Sequence, residues 1–288
     1  MRREYYMKIA ISVESTNDLS KELLANNDIS VIPYEITLGD ENFKDGEKTT
    51  EEMFAYVDKH KILPKTNAIN EFGYTEYFEG LKKNYDAVVH ICLSSGITSS
   101  CGNAERAAKN VENVFVVDSK SLSTGIGLLA LYGRELAENG VSPDKIAETL
   151  QARTEKLQVS FVIERLDYLY RGGRCSSLQL LGANLLKIRP RIVLKDGKMV
   201  SDKKYRGHME SVVAKYCADV LSEFNTPDLK RVFITYTTAT PEMVTAAKNA
   251  LTEAGFNEII ETRAGGTIAS HCGANTLGIL YFNDGVKE

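Results

Sequence analysis

The chain is predicted to be an α/β protein with two domains sharing a cleft. The N-terminal domain has a parallel sheet flanked by helices plus a small antiparallel excursion, and the C-terminal domain is α+β. Three observations carry this. Over the first half, short apolar runs alternate with segments of helical period, the pattern of βα units in a parallel sheet covered on both faces. In the second half, hairpin signals mix with such units. The chain has 288 residues, 43% hydrophobic and 26% charged, enough for two packed cores. The boundary is placed between 7–160 and 161–288. No Pro/Gly-rich linker marks it, so the two domains should pack tightly.

Lys8–Val13 is a short apolar run suited to a strand buried on both faces. Glu14–Asp18 follows as loop and cap, and a helix runs through Ala25. Ile29–Leu38 is rich in β-branched residues and precedes Gly39–Asn42, the antiparallel excursion. Thr49-x-x-Glu52 is a capping box that opens a helix to about His60. Pro64–Asn67 ends that connection, and a further helix spans about Glu71 to Lys83. Ala87–Leu93 is a central strand. It stops at Ser94-Ser95-Gly96, and a helical segment, Thr98–Asn110, begins. Asn113–Val117 is the next strand, ending in the hydroxyl-rich 118–124, and a long helix follows with Ile126, Leu129, Tyr132 and Leu136 on one face. Ser142-Pro143 starts another, since proline is tolerated at the first helical position.

Beyond the boundary, Gly172-Gly173-Arg174 is a turn, and Ile192–Val200 forms a hairpin about Asp196-Gly197. Met209–Phe224 is an amphipathic helix. Arg231–Thr237, Glu258–Thr262 and Leu277–Phe282 are strands, with a helix from Pro241 to about Ala254. The second strand leads into the loop Gly265–His271.

Composition excludes several classes. The net charge of −4 disfavours bulk nucleic-acid binding. No apolar run reaches the roughly 20 residues of a membrane span, and the first six residues lack the apolar core of a signal peptide. A cytoplasmic location is expected. The five cysteines contain no CxxC pair and the four histidines are widely spaced, so neither disulfides nor a metal centre is predicted. Gly125-x-Gly127-x-x-Ala130 formally matches a dinucleotide fingerprint but lies inside a helical pattern, where its backbone cannot wrap a pyrophosphate. There is no P-loop and no G-x-S-x-G elbow. From Arg165 to Arg206, eleven Lys/Arg stand against three Asp/Glu, either a solvated face or a docking surface for an acidic partner.

Ligands of parallel sheets gather at the carboxyl ends of the strands. Hydroxyl clusters occupy three such ends, at 15–16, 94–95 and 119–124. Two readings fit the Ser94-Ser95 junction. Its hydroxyls shape the turn and cap the next helix, or they and free backbone N–H groups hold an oxyanion. A serine–histidine pair, Ser94 or Ser95 with His271, is a third, although no acid stands out to orient the histidine.

Several motifs together resemble the DegV family of bacterial lipid-binding proteins. They are Ile11–Thr16, Pro64-Lys-Thr66, Leu93-Ser-Ser-Gly96, and Val117-Asp-Ser-Lys-Ser121 with Gly125-x-Gly127. In the second half come Leu169–Arg174, Ile188-Arg-Pro190 with Asp196-Gly197, and His271-x-Gly273. Each is short, but they fall in family order over nearly the whole chain. The resemblance implies one long-chain fatty acid held between the domains. Thr66, Ser95 (or Ser94) and His271 would hold its carboxylate, with no catalytic residue, cofactor or metal. It further implies that the fatty acid is presented to a fatty acid kinase or other lipid-metabolic partner, with Arg174 near the exit. The chain departs from the family pattern at Asn67, at Ile97–Cys101, and at Ala274 and Asn275.

A fatty acid needs a dry path for its tail and hydrogen bonds for its head. Burying about fourteen methylenes contributes on the order of 11 kcal/mol, much of it offset by association costs of roughly 4–15 kcal/mol. An unpaired carboxylate would erase the remainder, so hydroxyls and an imidazole are the groups such a site requires. The competing expectation is a serine-dependent acyl hydrolase or transferase, and a third is a domain for simple phosphates.

Overall fold

The computed structural model describes residues 7–175 and 188–285. In chain order, β1 (Ile9–Glu14) passes through a 3₁₀ turn to α1 (Lys21–Asn26), β2 (Ile29–Ile32), β3 (Glu35–Leu38) and β4 (Glu41–Lys44). Next are α2 (Thr50–His60), β5 (Lys65–Asn67), α3 (Glu71–Lys82), β6 (Ala87–Cys92), α4 (Ser100–Ala108) and β7 (Val114–Asp118). Then come α5 (Thr124–Glu138), α6 (Pro143–Arg153), β8 (Leu157–Val162) and α7 (Leu166–Gly172). After the 176–187 stretch, part of the basic run and outside the described residues, the chain forms β9 (Arg189–Lys195), β10 (Lys198–Tyr205) and α8 (Met209–Glu223). It closes with β11 (Arg231–Tyr236), α9 (Pro241–Glu253), β12 (Glu258–Arg263), α10 (Gly266–Cys272) and β13 (Leu277–Phe282).

The two mostly apolar runs, β1 and β6, are buried at every residue, and they form the centre of a parallel sheet of order β2-β1-β6-β7. The antiparallel excursion is a three-stranded sheet, β4-β3-β5. The second half builds a six-stranded mixed sheet, β10-β9-β8-β13-β11-β12. Local signals form as expected. Thr49 and Glu52 close a reciprocal capping box on α2, Pro143 opens α6, and Asp196-Gly197 turns the β9–β10 hairpin with both residues at positive φ.

Helix α5 joins the layers. It touches β1 and β6 of the parallel sheet and β8 and β13 of the mixed one. Nine of its positions, Thr124–Leu131 and Gly133, are buried. A helix apolar on more than one side belongs between two layers. One apolar cluster accordingly runs from Ile11 and Ile91 through Ile126 and Leu129 to Phe161 and Leu280.

Leu157–Val162 is an interior strand of the mixed sheet. Two expectations are corrected. Lys65–Asn67 is a strand, since Thr66 pairs with Ile36 of β3. Gly266–Cys272 is a helix, so His271 sits on a helical turn and not near a strand end.

The strand-end loop of the parallel sheet abuts the hairpin turn of the mixed sheet. A Cβ on Gly96 would meet the Gly197 carbonyl oxygen at 2.5 Å, backbone that cannot rotate aside. Gly96→Ala should therefore cost about 1–3 kcal/mol of unfolding free energy in urea melts. An unchanged midpoint would show that this contact is slack.

Candidate functional site

The site is built around the N-terminus of α10. A helix leaves its first N–H groups without partners, and two aspartates from the first half of the chain supply them. Asp18 accepts from Gly265 N–H at 2.8 Å, and Asp45 from Gly266 and Thr267 N–H at 2.8 and 3.1 Å. Ser123 Oγ donates to the other oxygen of Asp18 at 2.5 Å, and Ser15 Oγ to Asp45 at 2.9 Å. Asp18 is fully enclosed, and burial pushes its carboxyl well above the usual range against the pull of Ser123 and Gly265.

This clamp delivers His271, in the last turn of α10, to the small sheet. Its Nε2 lies 2.8 Å from Thr66 Oγ1 on β5. Its Nδ1 is buried with no hydrogen-bond partner among the described residues. Burial, reinforced by the charge of Arg174, lowers its pKa to about 4, so the ring is neutral at pH 7. Neutral imidazole offers one donor and one acceptor. Space beside it depends on Gly172, where a Cβ would sit 2.5 Å from Nδ1.

Thr66 and His271 open on a cavity of about 90 Å³ whose apolar walls are Leu93, Ile97, Leu122, Met199, Ile268 and Cys272. Its polar rim adds Tyr34, Thr98 and Arg174. A smaller cavity of about 20 Å³ shares Leu122, Ile268 and Cys272 and continues to Phe161, Gly278 and Leu280. The larger cavity carries the polar rim, and the smaller one is lined by apolar residues together with Ser123, Thr235, Thr237 and Thr276. A wider open groove of about 1040 Å³, lined by Lys120, Gln151, Leu194 and Asp196, contains neither Thr66 nor His271.

The serine pair is placed apart from that rim. Ser94 is buried and its Oγ donates to the Gly197 carbonyl at 2.7 Å, tying the strand end to the hairpin. Ser95 faces solvent, its N–H and hydroxyl both donating to Asp118, which also pairs with Lys120 at 2.7 Å. Neither lines the cavity, and His271 is engaged with Thr66. Arg174 is exposed and its Nη1 donates to the Gly172 carbonyl at 2.6 Å, at the rim.

Sequence reasoning missed Tyr34, Asp18 and Asp45. Tyr34 follows Pro33 with no motif to mark it, and the aspartates resemble ordinary turn residues. Behind the rim, Glu14, His90 and Cys92 bring one ligand atom each within 4.8 Å of one another. Both Glu14 oxygens already accept hydrogen bonds, from Tyr74 and from Leu93 N–H and Thr16, so the carboxyl group is already engaged. No described helix is long and apolar enough to cross a membrane.

Comparison with known proteins places this geometry in context. A family model described as "Uncharacterised protein, DegV family" matches residues 8–284. A DegV domain-containing protein of Staphylococcus aureus strain COL is 34% identical over 220 residues, 75% of this chain and 77% of that protein. Among solved structures, a DegV family protein from Thermus thermophilus, described by its fatty acid binding, superposes with a TM-score of 0.86 at 26% identity. It is matched over 96% of this chain and 99% of its own. DegV from Bacillus subtilis, described as a fatty acid-binding protein, superposes at 0.83 with 27% identity and the same coverage.

Two outcomes follow from the clamp and the buried imidazole. Asp45→Ala strands two helix N–H groups and should lower stability by about 1–3 kcal/mol in urea melts, with Asp45→Asn recovering part. His271 should show no NMR titration between about pH 8 and pH 5. Because its folded pKa lies below the unfolded value of about 6.5, acid favours the unfolded chain. Stability should therefore fall as pH drops from about 6.5 toward 4, on the order of 3 kcal/mol from this residue. A folded-state titration near 6.5 would overturn that expectation.

Proposed function

The chain belongs to the DegV family, and on that premise we propose that it binds one long-chain fatty acid between its two halves and acts as a carrier. The observation that carries the reading is the paired Thr66–His271 head at the polar rim of an apolar-walled cavity. The fatty acid binding described for the Thermus thermophilus and Bacillus subtilis relatives supports it.

In this reading the carboxylate displaces the Thr66–His271 hydrogen bond. The hydroxyl of Thr66 and an imidazole N–H of His271 donate to its oxygens, and Arg174 at the rim supplies positive charge. Ser94 stays on the Gly197 carbonyl, outside the cavity, and Ser95 joins the head-group contacts only by turning from Asp118. The tail follows Leu122, Ile268 and Cys272 toward Phe161 and Leu280. Small-molecule sites typically occupy roughly 300–1,000 Å³. The cavities of about 90 and 20 Å³ must therefore widen along those shared residues as the chain enters. Since packed side chains resist compression, the walls must part as units.

A head group at the mouth suits a carrier that hands its carboxyl to another protein. We propose a fatty acid kinase as that partner, docking beside the exposed Arg174. The competing hydrolase reading lacks an assembled pair, because Ser95 is held by Asp118 and His271 by Thr66.

Native mass spectrometry with lipid extraction tests the proposal. Purified protein should retain about one fatty acid, and palmitate affinity should fall about tenfold or more in Thr66→Val and His271→Ala, the loss of one or two charge-assisted hydrogen bonds. Protein that neither retains nor takes up fatty acid would remove the carrier reading. Turnover of an acyl ester or thioester that is lost in Ser95→Ala would establish the hydrolase instead.

A further inference from the structure

Behind the polar rim lies a carboxyl group that the proposed ligand contacts leave unused. Glu14 ends β1, is fully buried, and accepts from Leu93 N–H at 2.7 Å, from Thr16 Oγ1 at 3.4 Å and from Tyr74. Tyr34 stands between it and the cavity. Its side chain is only 2% exposed, it lines the cavity, its hydroxyl lies 3.3 Å from Thr98 Oγ1, and it is near enough to Glu14 for each to shift the other's titration. Thr98 lines the same cavity. A line of hydroxyls thus connects Glu14 to the ligand mouth.

We propose that Tyr34 is a further ligand for the fatty acid carboxylate and that Glu14 takes up one proton from solvent as that carboxylate binds. The inference rests on the fatty acid reading above. A phenol has one proton to donate. An ionised Glu14 competes with the ligand for it, whereas a protonated Glu14 frees Tyr34 to point into the cavity. Two carboxylates separated by one side chain in a dry interior also repel strongly.

Among the described residues, the groups facing Glu14 offer no positive charge to relieve that repulsion. They are Tyr74 from α3, Tyr34 from the β2–β3 turn and His90 and Cys92 from β6, with Cys101 of α4 against Cys92. Burial keeps the two tyrosines and Cys92 protonated by pushing them well above their ordinary values, and keeps His90 neutral by lowering it to about 3. The influences on Glu14 itself are burial, which raises it, and hydrogen bonds from Tyr74, Leu93, Thr16 and Tyr34, which lower it. They leave it at about 7, so its proton is exchangeable near neutrality. The charge balance is then one carboxylate anion and one proton taken up, with no net change in buried charge.

Palmitate titrated calorimetrically into the full chain, at several pH values and in buffers of different ionisation enthalpy, tests this. Above pH 7 the wild type should take up close to one proton per ligand, and its affinity should fall by up to about tenfold per pH unit. At pH 6 uptake should be near zero. Glu14→Gln should bind with no uptake and a flat profile over the same range. Because it retains the ligand's own titration, the difference isolates Glu14. Tyr34→Phe should weaken binding about tenfold at pH 6. Tight wild-type binding without proton uptake at pH 8 would overturn the inference while leaving the carrier reading intact, and that measurement needs no variant to fold. Full affinity in Tyr34→Phe at pH 6 would overturn the role of Tyr34. Failure of the wild type to bind palmitate at any pH would remove both the carrier reading and this inference.

Discussion

The aspartate clamp on α10 is the interaction on which the site depends. Seven residues beginning Gly266-Thr267, with Gly265 as their N-cap, make a poor helix in isolation, because glycine loses more backbone freedom than any other residue and so short a segment cannot offset nucleation. Carboxylates on its leading N–H groups supply the missing partners and complement its dipole. Asp18 and Asp45 come from the first fifth of the chain and α10 from its last tenth, so the same bonds that form the helix also close the two halves around the cavity. His271 inherits its position from them.

The polar chemistry of the mouth is mostly neutral. The imidazole is held uncharged by burial, and Thr66, Thr98 and Tyr34 present hydroxyls, with Arg174 the one charged residue at the rim among the described residues. Such a set can bind an anion without burying a fixed ion pair, whose desolvation would consume much of the attraction. A nucleophile requires a base within reach, and the site holds its serines and its histidine on different partners.

Much of the fold was legible because its signals are local or periodic. The mostly apolar runs of β1 and β6, broken by Ser12, Glu14 and His90, are buried on both faces. The Thr49–Glu52 box is complete within four residues, and Asp196-Gly197 meets the positive-φ demand of its own turn. β5 and α10 were not legible in this way. Three residues, Lys65–Asn67, carry no strand period and become a strand only because β3 offers them a ladder. Ser95 shows the same limit in the site. Its neighbours suggested an anion cradle, yet Asp118, distant in sequence and adjacent in the sheet, engages its hydroxyl.

The sequence by itself determined the α/β class, the apolar strands and caps, the family resemblance, and the short roster of hydroxyls with one histidine from which a site could be drawn. Each of these depends on residue type and near-neighbour spacing. Only the tertiary structure decided which of those groups share a cavity. It brought Thr66 and His271 together across 205 positions, turned Ser95 outward, and set Tyr34 and Glu14 behind the mouth. The physical reason is that hydrogen bonds between remote side chains, and the burial that shifts their protonation, exist only once the two sheets have packed on α5.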